Sequence, residues 1–382
     1  MPNQGADIDA SSIQGTHVPP PVAGGDDTYI VAEAGVNHNG SLEQARQLVD
    51  VAVEAGADAV KFQTFRADAL TVEGTEKAAY QQSTTDETQS QREMLRELEI
   101  SPEDHNHLLQ YCQRMGIHFL SSPFGTESVR FLANDLGLAR LKIPSGEITN
   151  APLLLAAGRT GRSVILSTGM STLGEVEEAL GVLAFGYTSP GEVPSSSGFQ
   201  AAYASTDGQK WLRRRVVLLH CTSEYPAPVR EVNLRAMDTL RSAFNLPVGL
   251  SDHTQGTAIP MAAVGRGASV VEKHFTLDQT LPGPDHSASL EPDQLTAMIE
   301  GIRQVERARG SPRKCPTESE TKNVDVVRKS LVAAQPIAAG DPFTEDNLTA
   351  KRPGHGRSPM RYWEYLSRTA SENYDTNDLI KE

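Results

Sequence analysis

No apolar run in this 382-residue chain approaches the roughly 18 residues of a membrane span, so a soluble protein is expected and a membrane partner is not. Cysteine is scarce as well. Cys112, Cys221 and Cys315 are odd in number and lack metal-ligand spacing, which excludes a disulfide framework and points to reduced thiols in the cytoplasm. Positive charge is short: 35 Lys and Arg face 49 Asp and Glu, for a net charge of -14. With an isoelectric point near 5.2, nucleic acid is excluded as a partner, because its phosphates demand a basic surface. Small anions are not excluded, since a few cations focused in a cleft can hold a phosphate or carboxylate. Residues 1–28 have neither a basic start nor a hydrophobic stretch. Rich in Gly, Pro, Ser and Asp, they read as a disordered extension rather than a signal peptide.

What the chain does have is a rhythm. Eight times a short apolar run ends in polar or charged residues and a helix-patterned segment follows. The runs are Tyr29 to Val31 ending at Glu33, Ala59 to Phe62 with Lys61 and Gln63, Ile117 to Leu120 ending at Ser121 and Ser122, and Ala139 to Ile143 with Lys142, leading to Ser145 and Glu147. Then come Ser163 to Leu166 ending at Ser167, Val216 to Leu219 ending at His220, Pro247 to Leu250 ending at Ser251 to His253, and Ser269 to Val271 ending at Glu272 to His274. Strand then helix, repeated, means parallel pairing through right-handed crossovers. Eight such units predict an α/β fold, a (β/α)8 TIM barrel, with its reactive side chains gathered at the strand tips.

Capping chemistry supports the helices. Ser41 and Gln44 precede an apolar stripe that stops at Gly56. Ser101, Pro102 and Asp104 open a second helix that stops at Gly116, and Thr172 with Glu175 opens a third. Residues 187–209, with Pro190, Gly191, Pro194 and a serine run, read as a loop insertion on the outside of the barrel. The barrel is therefore expected over 29–309, a polar linker over 310–325 and a small α+β module over 326–382. Within that module Ser330 to Ala334 reads as a strand and Thr344 to Leu348 as a short capped helix.

His253 and His274 end consecutive runs. Neighbouring strands lie about 4.8 Å apart, so the two imidazoles can share one divalent ion. Asp252, Glu272 and Asp285 stand nearby in sequence, and positions left open on the ion suit a Lewis-acid role with manganese, magnesium or zinc. Lys61 and Lys142 lie inside apolar runs of a barrel that has no edges, which favours an anion site at the barrel end over a lysine forced outward among helices. Ser122, Ser145, Ser167 and Ser251 end four other runs and can add hydroxyl donors to the same phosphate, although each alone also suits a turn or cap. Glu147, two residues past Ser145, is a general acid/base candidate against the plainer reading of a surface ion pair. Glu33 is a substrate-binding candidate in a segment whose Asn and Gly residues equally suit a turn.

Taken as an ordered series, these segments resemble the sialic acid synthase family, which makes N-acetylneuraminate and related nonulosonates. The series comprises Ile30 to Gly40, Ala57 to Thr64, Lys142-Ile-Pro-Ser-Gly-Glu147, Leu166 to Met170, His220 to Pro226, Gly249 to Thr254 and Glu272 to Phe275. Lys329 to Val332 and Lys351 to Gly354 are similar to the antifreeze-like (SAF) domain of the same family. The resemblance implies condensation of phosphoenolpyruvate with an N-acetylated mannose-type sugar and water, giving a 2-keto-3-deoxy nonulosonate and phosphate. N-acetylmannosamine comes first as acceptor, and a 6-deoxy-2,4-diacetamido hexose, as in legionaminic or pseudaminic acid synthesis, is the alternative. It further implies that His253 and His274 bind manganese or magnesium and that Lys61, Lys142 and the four serines hold phosphoenolpyruvate. Glu147 would act as acid/base, and Gln63, Tyr225 and Asp285 would face the sugar. Arg352 would reach a partner's active site in a domain-swapped homodimer. Two rivals stand beside this reading. A condensing enzyme for a phosphorylated sugar would need a second basic cluster, for which Arg66 is a scattered candidate. A carbohydrate- or ice-binding protein with a dead barrel would not be expected to keep the lysines, Glu147 and the histidines together.

Overall fold

The computed structural model describes residues 27–78, 81, 82, 85 and 89–381. The extension expected over 1–28 lies outside these apart from Asp27 and Thr28. Thr28 is buried just before the first strand, its Oγ1 donating to Ala268 O at 3.1 Å.

The apolar runs form eight parallel strands: β1 (Tyr29–Gly35), β2 (Ala59–Thr64), β3 (His118–Pro123), β4 (Arg140–Ile143), β5 (Ser163–Ser167), β6 (Val216–Cys221), β7 (Val248–Asp252) and β8 (Val270–His274). Their order is β3-β2-β1-β8-β7-β6-β5-β4, and the end strands β3 and β4 lie side by side, closing the barrel. Successive side chains of a strand point to opposite faces. Accordingly Ile30, Ala32, Val60, Phe62, Val164, Leu166, Leu218 and Val271 join the large core shared with the helices. Val31, Ala59, Leu120, Ile165, Val217, Leu219 and Val270 form a separate apolar cluster inside the barrel. Two residues further along the same strands come Glu33, Lys61, Ser122, Ser167, Cys221 and Glu272. The strand period thus changes the interior from an apolar floor to a polar layer in one step.

The predicted caps are in place. Ser41, Ser101 and Thr172 accept from the backbone N–H of Gln44, Asp104 and Glu175, opening helices Leu42–Glu54, Pro102–Met115 and Leu173–Thr188. The expected loop over 187–209 is corrected: helices Ser196–Ala204 and Thr206–Arg215 occupy most of it. Ser195 and Ser205, which look like loop residues, are N-caps accepting from Gly198 and Gly208 N–H. Phe199 then packs edge-on to Phe185 at 5.3 Å, and Trp211 stacks on Tyr187 at 5.8 Å.

Helix Ala151–Arg159 crosses Leu173–Thr188 where Gly158 meets Gly186, and a Cβ on Gly158 would stand 2.9 Å from Leu183 O. Alanine ordinarily favours a helix by about 1 kcal/mol over glycine. Here the obstacle is backbone, which cannot step aside, and overpacking costs about 1–3 kcal/mol. Gly158→Ala should therefore lower the denaturant midpoint, and an unchanged or higher midpoint would contradict this contact.

The chain separates after Gly310 into two compact units. Half of the expected linker is helical in the second unit: Glu318–Val327 starts from a Thr317–Glu320 capping box. In that unit β9 (Ser330–Ala333) pairs antiparallel with β10 (Leu348–Lys351) over a core that includes Leu331, Ile337, Phe343, Tyr365 and Tyr374. The helix expected over Thr344 to Leu348 is a single turn instead. Asn347 Oδ1 accepts from Thr344 N and its Nδ2 donates to Pro342 O, which closes the turn and sends buried Leu348 into the strand.

Candidate active site

At the carboxyl ends of the strands lies a cavity of about 490 Å³. Glu33, Lys61, Gln63, Ser122, Lys142, Ser145, Ser167, Tyr225, Ser251, His253, His274 and Asp285 all line it. Glu147 does not. Ser145–Glu147 is a 3₁₀ turn, and its period of three carries Glu147 round to bond Asn150 Nδ2 at 2.6 Å. Arg352 belongs to the second unit, where its Nε donates to Val327 O. Arg66 has a 72% exposed side chain facing Glu99.

The cavity base is a buried charge network. Lys61 Nζ lies 2.6 Å from Glu33 Oε2 and 3.7 Å from Glu272 Oε2, and Lys142 Nζ lies 3.1 Å from Glu272 Oε1. Ser122 Oγ accepts from Lys61 at 3.0 Å, and Ser251 Oγ donates to Glu272 at 2.9 Å. Burial alone would raise both carboxyls. For Glu272, the Lys142 and Lys61 ammoniums outweigh it and hold the group down at about 2. For Glu33, burial wins over Lys61 and the carboxyl is pushed up to about 7. Burial lowers the Lys142 ammonium and raises Glu147. Ser145 Oγ accepts from Gly169 N and touches Cys221 Sγ, both at 3.0 Å, while the buried Ser167 Oγ has no protein partner.

On the β7–β8 side the two imidazoles converge, with ring centroids 5.5 Å apart. His253 Nδ1 donates to Thr222 O at 2.6 Å, which fixes the tautomer and makes Nε2 the acceptor nitrogen, with Ser251 Oγ beside it at 3.4 Å. Tyr225 stacks on that ring at 4.1 Å. His274 Nδ1 is buried without a hydrogen-bond partner, 3.9 Å from Asp285 Oδ2. Burial keeps both rings neutral, His253 at about 4 and His274 well below its ordinary value, and pushes Asp285 up to about 6. Neutral imidazoles with an orphaned nitrogen fit a divalent cation, which they would hold with water or substrate oxygens. No group of three or more His, Cys, Asp or Glu forms a complete cage among the described residues.

Glu272, which sequence reasoning sets beside the histidine pair without a role of its own, is the central residue of the charge network. Its signal was available: it lies two residues before His274 on one strand and so faces the same way. In sequence, Asn37 and Asn39 suit a turn and show no further role. Asn37 Nδ2 donates to Phe275 O and Ser289 Oγ, and Asn39 Nδ2 to Pro282 O, so the β1 loop pins the β8 loop that carries Asp285.

Comparison with known proteins places this geometry in a family. Over 93% of its length the chain is 48% identical to N,N'-diacetyllegionaminic acid synthase of Campylobacter jejuni, covering 99% of that protein. It is 44% identical to the enzyme of the same name from Legionella pneumophila, over 92% of this chain and 93% of that one. The crystal structure of N-acetylneuraminic acid (sialic acid) synthetase from Leptospira borgpetersenii superposes with a TM-score of 0.64 at 31% identity, over 78% of this chain and 91% of that one. The NeuB family model matches residues 48–314 and the SAF domain model residues 328–373, so the chain belongs to the NeuB family and carries a SAF domain after its barrel.

Proposed function

We propose that this protein is a nonulosonic acid synthase, a transferase that condenses phosphoenolpyruvate with the open-chain form of an N-acylated amino sugar and water, releasing phosphate. The observation that carries the reading is the lysine and serine cradle beside the paired neutral imidazoles at one barrel rim. The order of acceptors read from sequence is reversed. Relatives at 48% and 44% identity are named for N,N'-diacetyllegionaminic acid, which supports a diacetamido sugar ahead of N-acetylmannosamine.

In this reading Lys61 and Lys142 offset the anionic charge of phosphoenolpyruvate, and the hydroxyls of Ser122, Ser145, Ser167 and Ser251 orient it. Glu33, paired with Lys61 at 2.6 Å, holds that ammonium in place beside the anion. Gln63, Tyr225 and Asp285 face the sugar, while Glu147 remains the acid/base candidate, reaching the cavity only by leaving Asn150. A divalent ion, manganese or magnesium, held by His253 and His274 would act as Lewis acid toward the sugar aldehyde. Incubating the purified chain with phosphoenolpyruvate, manganese and each candidate sugar should release phosphate with a diacetamido sugar. Silence with every acceptor would overturn the proposal.

The SAF domain gives the reading a second subunit, in which Arg352 binds the sugar's N-acyl end in a partner's site within a domain-swapped homodimer. Arg352→Ala should raise the KM for sugar more than that for phosphoenolpyruvate. Mixed with a Lys142→Met chain it should regain part of its activity, and no rescue would remove the exchange from the model.

A further inference from the structure

The cavity mouth is not uniform. Its β4–β6 side carries hydroxyls and Lys142, and its β7–β8 side the imidazoles, whereas above Glu33, Lys61 and Ser122 the β1–β3 side adds a group of apolar side chains with Gln63 and Gln91 among them. Val36 follows β1, Phe124 follows β3, and Leu70, Met94, Leu95 and Leu98 come from the long excursion between β2 and β3. The excursion's helix, Gln91–Glu97, is fixed by a full capping box at Ser90 and Glu93 and turns Met94 inward. Val36, Met94 and Leu98, with Phe65, form a cluster separate from the main core, and the first three are 4%, 3% and 6% exposed. Apolar side chains that line a polar active site without joining the barrel core call for a ligand with an apolar edge.

Cations are placed to match. Lys61 and Lys142 are the only Lys or Arg side chains lining the cavity among the described residues, and both serve the anion cradle. The excursion's cations turn elsewhere: Arg66 to Glu99, Arg96 to Asp68 at 2.6 Å, Arg92 to Thr71 O at 2.7 Å, Arg114 to the Tyr111 ring and Lys77 to Thr85 Oγ1 at 3.0 Å. A sugar phosphate on this side would be desolvated against leucine and methionine with no counter-charge from this wall. Amides are present instead, since Gln63 and Gln91 line the same side and can both donate to and accept from acetamido groups.

We infer that the wall of Val36, Leu70, Met94, Leu95, Leu98 and Phe124 is the subsite that selects the acceptor. It admits an uncharged acylamino sugar ending in a methyl group and rejects one ending in a phosphate. The inference rests on the synthase reading and names the residues that set its specificity.

The test uses the full chain with phosphoenolpyruvate and manganese, comparing kcat/KM for a 2,4-diacetamido-2,4,6-trideoxy hexose, N-acetylmannosamine and N-acetylmannosamine 6-phosphate. Leu70→Gln and Leu95→Gln, both at half-buried positions, should each cut the preference for the 6-deoxy sugar about tenfold, the usual worth of a well-packed methyl. The KM for phosphoenolpyruvate should not move. Leu95→Lys should raise relative use of the 6-phosphate. An unchanged preference in both Gln variants, or a wild-type preference for the 6-phosphate, overturns the assignment. A binding readout separates it from the synthase reading. With 13C-methyl methionine, the 6-deoxy sugar should shift the Met94 signal, identified by its loss in Met94→Leu. A shift without turnover by any acceptor keeps the wall and sinks the synthase, whereas turnover without a shift sinks the wall.

Discussion

Alanine at position 274 should cost about a thousandfold in phosphate release while leaving the fold intact. The ring is nearly buried at the end of β8, and its Nδ1 has no hydrogen-bond partner, so removal leaves no broken pair behind. Its contribution is expected to be the cation, whose polarisation of an aldehyde is worth several kcal/mol, or roughly three powers of ten in rate. Two measurements check this. Manganese should raise the melting temperature of the wild type, because a ligand bound only by the folded state adds stability by mass action, and should do so far less for His274→Ala. A chelator should silence the wild type reversibly. Turnover retained in the variant, with an unchanged manganese shift, would refute the ligand assignment.

Much of this site is legible in the sequence because a strand has a period of two and a barrel has one reactive rim. Once Val31, Ala59 and Ile165 are read as interior, Glu33, Lys61 and Ser167 must follow them on the same face. His253 and His274 come together for the related reason that β7 and β8 are consecutive and parallel. Legibility fails where local geometry changes period or partners are remote. Glu147 follows Ser145 by two residues, but the backbone there is a tight turn, so strand logic misplaces it. Ser195 and Ser205 look like loop residues until the helices they cap find Phe185 and Tyr187 to pack on. Met94 and Leu98 carry no strand rhythm, and their place at the cavity mouth depends on Val36 and Phe124, far away in sequence.

The other face of β7 and β8 holds the second large effect. Between Ser251 and His253, and between Glu272 and His274, the chain points Asp252 and Lys273 outward into the packed layer. Lys273 is fully buried, with Nζ 2.6 Å from Asp252 Oδ2 and a further bond to Thr254 O. Asp252 also accepts from Thr254 N at 3.2 Å and Thr254 Oγ1 at 3.0 Å, so the pair brackets His253 from both sides in sequence. Removing one member strands a buried charge, at a cost of about 3–5 kcal/mol, a large part of the 5–15 kcal/mol that holds a typical domain. Lys273→Met should therefore lower the denaturant midpoint sharply and, by loosening the backbone around His253, weaken the manganese-dependent stabilisation as well. Replacing both partners removes the stranded charge. Asp252→Asn with Lys273→Met should thus recover much of the single variant's loss, a coupling that independent sites do not show. A Lys273→Met chain within 1 kcal/mol of the wild type, or a double variant whose loss equals the sum of the singles, would show that the histidine's backbone is held by something other than this pair.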